Sequence, residues 1–110
     1  MATIEQCREA LHTLAARLEE HAARRASSIT RTLHLSIPDL DAAFHGRLEQ
    51  GRLVEIADGP APDAAIRLTI ASDDLIALVA GHLDFARAWA TGQISLKASM
   101  ADLFKLRSLL

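Results

Sequence analysis

The sequence predicts an α+β domain: a five-stranded, mostly antiparallel sheet with helices covering one of its faces. Three observations carry that expectation. Apolar residues recur every three or four positions from Ile4 to Leu18, the period of a helix with one buried stripe. Between Thr32 and Ile70 the period changes to two, broken by turn residues at short intervals, as in strands joined by hairpins. After Ser72, short apolar runs are punctuated by glycines and small polar residues suited to helix ends, with one more alternating run at Ile94 and Leu96.

The first helix places Ile4, Cys7, Leu11, Leu14, Ala15 and Leu18 on one stripe and its charged residues elsewhere. Thr3 and Gln6 have the spacing of a capping box, which sets its start, and the helix is expected to fade near residues 25–28. Leu33, Leu35 and Ile37 mark the first strand, and the stretch 38–41 is a turn. Phe44, Gly46 and Leu48 mark the second strand, and residues 49–51 turn again. Val54 and Ile56 mark the third, residues 58–63 form a loop, and Ile66, Leu68 and Ile70 mark the fourth. Short turns predict that the first three strands form an antiparallel meander. Ser72, Asp73 and Asp74 are expected to cap a helix that ends at Gly81. Asp84 opens another that ends at Gly92, Ile94 and Leu96 lie on a fifth strand, and Ser99 caps the last helix.

At 110 residues the chain is expected to form one domain over 1–110. Half the residues are apolar, yet there are only three Phe, one Trp and no Tyr, so the core is aliphatic. A net charge of −2 with both signs dispersed argues against a nucleic-acid partner. One cysteine excludes an intramolecular disulfide. No basic segment followed by an apolar run opens the sequence, and no stretch approaches the ~20 apolar residues of a membrane span, so no stable membrane insertion and a cytoplasmic location are expected.

The stretch 63–110 carries a family pattern. Residues 64–75 run from an alternating apolar strand into Ser72, Asp73 and Asp74. Gly81-His82-Leu83-Asp84, then Ala88-Trp89, then Gly92-Gln93-Ile94-Ser95-Leu96-Lys97, and a closing helix from Met100 with Lys105-Leu106 follow in register. This resembles the sterol carrier protein two family; the N-terminal half matches in the order of its elements. The resemblance implies an apolar tunnel between sheet and helices, gated by the closing helix, that takes up sterols, fatty acyl chains or other lipids. It implies that Leu78, Val79, Phe85, Trp89, Met100, Leu103, Phe104, Leu106 and Arg107 line or guard the ligand site. The chain departs from the pattern at Ala98 and Ser99, at Asp102 where the family is apolar, and at Arg107, which would favour an acidic lipid head if it points inward. The chain does not close on the Ser-Lys-Leu peroxisomal signal.

Other chemistry-bearing residues have plain structural readings. Cys7 shares the helix stripe with Leu11 and reads as a buried thiol. The pairs Asp39 with Asp41 and Asp73 with Asp74 fall at turns and helix starts, where carboxylates cap. If both first hairpins are symmetric, His34 faces His45 and His45 faces Glu55; such a row could ligate zinc, and a polar solvent face is the simpler reading. No catalytic site, metal or cofactor is expected. The expected function is therefore binding of a lipid or other hydrophobic small molecule. The alternative, motivated by Asp102 and the abundant alanine, is an interaction module with a filled tunnel, possibly a homodimer.

Overall fold

The computed structural model describes residues 1–22, 30–50 and 52–107, apart from the side chains of residues 21, 22 and 105–107. Helix α1 spans Ile4–Ala22. Its start is the capping box: the Thr3 N–H donates to Gln6 Oε1 (2.8 Å) and the Gln6 N–H to Thr3 Oγ1 (3.1 Å). Cys7, Ala10 and Leu11 are buried, Leu14, Ala15 and Leu18 are half-buried, and Ile4 is exposed. The expected end of this helix and the glycine of the second hairpin lie outside the described residues.

Strands β1 (Thr30–Ile37), β2 (Ala42–Glu49), β3 (Arg52–Asp58), β4 (Ile66–Thr69) and β5 (Ser95–Lys97) form one sheet in the order β3-β2-β1-β4-β5. Each neighbouring pair is antiparallel except β1 and β4, which are parallel. The exception arises because the chain leaves β3 at one edge and crosses two strands before it pairs again. Between β1 and β2 a 3-10 turn at Pro38–Leu40 ends on Asp41 in the left-handed conformation. Leu33, Leu35, Ile37, Phe44, Leu48 and Ile66 face the helices, as the period of two requires.

The second hairpin departs from the symmetric register. Leu48 pairs with Leu53 and Arg47 with Val54, but His45 pairs with Ala57, because a bulge interrupts the ladder. Glu55 takes a left-handed backbone in that bulge (φ 56°). Opposite it, a side chain on Gly46 would meet the Val54 carbonyl at 3.2 Å, so any other residue there would push that backbone aside by a few tenths of an ångström. The bulge removes Glu55 from the expected histidine row.

Helices α2 (Ser72–Val79), α3 (Phe85–Ala90) and α4 (Met100–Arg107) complete the helical layer with α1, which lies over β3 and beside α2. The expected cap of α2 is corrected: Ala71 holds the N-cap position with no side-chain bond, and Ser72 is the first helical residue. Its N–H and hydroxyl both donate to Asp39 (2.9 and 2.5 Å), while its oxygen accepts from the Ala2 N–H (3.1 Å). A carboxylate from the β1–β2 turn thus satisfies the start of α2 and ties it to the start of α1. Gly81 ends α2 in the left-handed region, with the His82 N–H reaching back to the Ala77 carbonyl (2.8 Å). Asp84 caps α3 through the Ala86 N–H (3.1 Å), and Ser99 caps α4 through the Asp102 N–H (3.1 Å).

Candidate ligand-binding face

Among the described residues, side chains pack closely between α1 and the sheet. A void bounded by Leu11, Leu33, Leu35, Phe44, Leu53 and Ile56 amounts to about 10 Å³, room for one water at most. A larger recess of about 380 Å³ lies between α1 and α2, but it is open and its lining is mixed: Gln6, Glu9, Thr13 and Arg17 face Ala10, Ile76, Val79 and Ala80. The Arg17 guanidinium donates to the Val79 carbonyl there, at the end of α2.

The residues expected to line one tunnel fall into two groups. Val79 is buried, and Leu78 and Phe85 are half-buried against the main core, which also holds Leu35, Ile37, Phe44 and Leu75. Trp89 is half-buried, its ring tilted at 51° to that of Phe85 with centroids 6.3 Å apart. Val79, Leu78 and Phe85 belong to the packed interior, and Trp89 is tied to it through Phe85. On α4 the arrangement differs from the expected inward apolar face. Leu103 is half-buried, whereas Met100 and Phe104 are 68% and 67% exposed. The side chains of Leu106 and Arg107 lie outside the described residues.

The side chain that α4 turns toward the sheet is Asp102, 3% exposed. Its Oδ2 accepts from Arg31 Nε at 3.1 Å. Arg31 sits on β1 two residues before Leu33, hence on the helix-covered face of the sheet. Oδ1 of Asp102 has no hydrogen-bond partner among the described residues. Desolvating such an acceptor costs about 1–3 kcal/mol. Leu18, Leu33, Ile66, Leu96 and Ala98 form the apolar cluster at the same end of the sheet. The sequence flags Asp102 as a departure, but nothing in its spacing points to Arg31, which lies 71 residues away.

The opposite face of the sheet is not bare. The loop from β3 to β4 crosses β2 and β1 and is held by both histidines. His45 Nδ1 is 3.0 Å from the Gly59 carbonyl, and the Ala61 N–H donates to His34 Nδ1 (2.9 Å). The Ala65 N–H donates to Thr32 Oγ1 (3.0 Å). His34 does pair with His45 across the strands, and the two imidazoles serve as anchors for this crossover. Among the described residues, no three metal-ligating groups converge.

Cys7 is fully buried, and that burial, reinforced by Asp39 and Asp73, pushes its thiol up, away from the thiolate a nucleophile needs. Arg8 closes the outer edge: it donates to Asp58 (3.1 and 2.5 Å) and to Glu5 (2.5 Å), and lies 6.0 Å from the Phe44 ring centroid. The guanidinium holds the Asp58 carboxyl below its ordinary range.

Comparison with known proteins bears on this geometry. The family model for the alkyl sulfatase C-terminal domain matches residues 4–110. No curated protein sequence matches the chain. Among solved structures, the stereoselective inverting sec-alkylsulfatase Pisa1 from Pseudomonas sp. is 26% identical over 88% of this chain, with a TM-score of 0.64. The match covers 15% of that chain, so the present sequence corresponds to a small part of the sulfatase. Palmitated SCP2L2 from Aedes aegypti is 16% identical with a TM-score of 0.68, covering 97% of this chain and 92% of that one. Sterol carrier protein domain 2 of Helicoverpa armigera is 17% identical with a TM-score of 0.67, covering 98% and 89%. The fold is that of the sterol carrier proteins, as the C-terminal motifs imply, and it extends over the N-terminal half as well.

Proposed function

We propose, for a chain that belongs to the alkyl sulfatase C-terminal family, that the domain binds the alkyl part of an amphiphile between α4 and the sheet and has no catalytic residue of its own. One observation carries this reading: α4 exposes Met100 and Phe104 while it buries a carboxylate. Burying a large apolar side chain is worth about 1.5–3 kcal/mol, so α4 gains by turning Met100 and Phe104 onto an apolar guest as it lifts. An aliphatic interior with few aromatics can yield to a flexible hydrocarbon when that helix lifts. The Aedes aegypti neighbour was solved palmitated and the Pseudomonas relative is a sec-alkylsulfatase, so an alkyl chain is common to both. Beside a sulfatase body, the domain would supply apolar surface to the chain of the ester. Release of the guest by the same helix movement would amount to transfer.

Native mass spectrometry after organic extraction and incubation with fatty acids and sterols tests this. A one-to-one alkyl adduct on the native chain, lost in Met100→Lys/Phe104→Lys without change in melting temperature, is the expected result. A mass that stays bare overturns it. The small void among the described residues favours a second reading, an interaction module that dimerises through Met100 and Phe104. Its mark is a dimer in the same spectrum that the double variant dissociates.

A further inference from the structure

We infer that the Asp102–Arg31 pair selects the head group of the guest, and that the head it selects is a hydroxyl. The inference rests on the alkyl-binding reading above and adds what the polar end of the ligand must be. Asp102 is buried and its Oδ1 has no donor among the described residues, while Oδ2 already accepts from Arg31 Nε at 3.1 Å. Among the described residues, what the site lacks is therefore one hydrogen-bond donor.

Charge decides the rest. The carboxylate and the guanidinium cancel, so a neutral head adds no unpaired charge. A carboxylate or sulfate head has no proton to give Oδ1 and places a second negative charge beside it. An ammonium head has protons but meets Arg31. An ether oxygen matches a hydroxyl in size and donates nothing. Of these heads, the hydroxyl alone supplies the missing donor at no cost in net charge. Sites built to bond a hydroxyl reject analogues that lack it, because the buried acceptor is then left unpaired. The pair lies on the sheet face that carries Leu33, with Ile66 and Leu96 at the same end, so a chain attached to that hydroxyl would run onto apolar surface. An aliphatic alcohol is also what remains when an alkyl sulfate ester takes up water and releases sulfate, so the preferred head is that of a product and not of an ester.

Calorimetric Kd values for 1-decanol, decyl methyl ether and decanoate, with the native chain and with Asp102→Leu, decide the matter. The native chain is expected to bind 1-decanol about tenfold more tightly than either competitor. Asp102→Leu is expected to erase that ratio while still taking up the ether. Asp102→Ala replaces it if the leucine variant does not fold. Equal affinity of the native chain for decanol and ether, or a ratio that survives removal of the carboxylate, overturns the assignment to Asp102 and leaves alkyl binding standing. Failure of all three probes to bind overturns the alkyl-binding reading, and this inference with it.

Discussion

Helices α1 and α4 both rest on the same face of the sheet, and they are held in opposite ways. The first is set by its own sequence and by its neighbours at once. Its capping box fixes the start, Cys7 and Leu11 are buried, and Arg8 reaches Asp58 on β3. The last turns a charged side chain inward and leaves its two largest described apolar residues in solvent. Beyond its Ser99 cap, its one described polar tie to the sheet is the Arg31–Asp102 ion pair. A helix that buries its stripe is part of the scaffold. One that buries a carboxylate and exposes a phenylalanine is the element on which the proposed guest would act.

The sharpest way to break this contrast is a pair of truncations. Leu11→Ala on α1 removes a 5%-exposed side chain from the main core and is expected to cost about 2–5 kcal/mol. Phe104→Ala on α4 removes a larger side chain and is expected to change stability by no more than about 0.5 kcal/mol. Urea titrations of both variants check this. A loss at Phe104 comparable to that at Leu11 would mean that α4 is packed scaffold like α1.

Replacing the carboxylate comes next in size. Asp102→Leu exchanges a buried acceptor for hydrocarbon beside Leu33 and Leu96, and Arg31 is open enough to be solvated once its partner is gone. The expected effect is a gain of about 1 kcal/mol in the same urea experiment, since the desolvated acceptor is removed and Arg31, at 41% exposure, is not left as a buried unpaired charge. A loss of several kcal/mol would show that the ion pair is what seats α4.

The same contrast explains what could be read in advance. The scaffold was legible because its signals are local: the helix period and capping box of α1, the alternation of β1 to β4, and the glycines after α2 and α3 each act within a few residues. The register of β2 on β3 was not, because a bulge at Glu55 depends on tertiary fit and leaves no pattern in a run such as Val54-Glu55-Ile56. Ser72 misleads for a similar reason. It has the composition of a cap, but Asp39, 33 residues earlier, supplies the oxygen. On α4 the apolar residues suggest an inward face, and what turns Asp102 inward instead is Arg31 on a distant strand. The alternation places the histidines in a polar row, and the partner they anchor is a loop that only the strand order brings across them.

The smallest expected effect concerns Asp39, which belongs to the well-held side of the comparison. Its two hydrogen bonds from Ser72 hold its carboxyl below the ordinary value of 3.8. The folded chain therefore binds that proton less readily than the unfolded chain does. The tie stabilises the fold above about pH 4, and its contribution fades as the pH falls further, through the lowered folded value. Asp39→Asn is expected to melt below the native protein at pH 6, and the difference should shrink toward pH 2.5. Asp58, lowered by Arg8, titrates in the same window, so both proteins lose stability there and only their difference reports on Asp39. Melting temperatures taken every half unit between those limits provide the check. A gap that stays constant with pH would mean that the carboxylate charge does not hold the starts of α1 and α2, and that the neutral hydrogen bonds to Ser72 suffice.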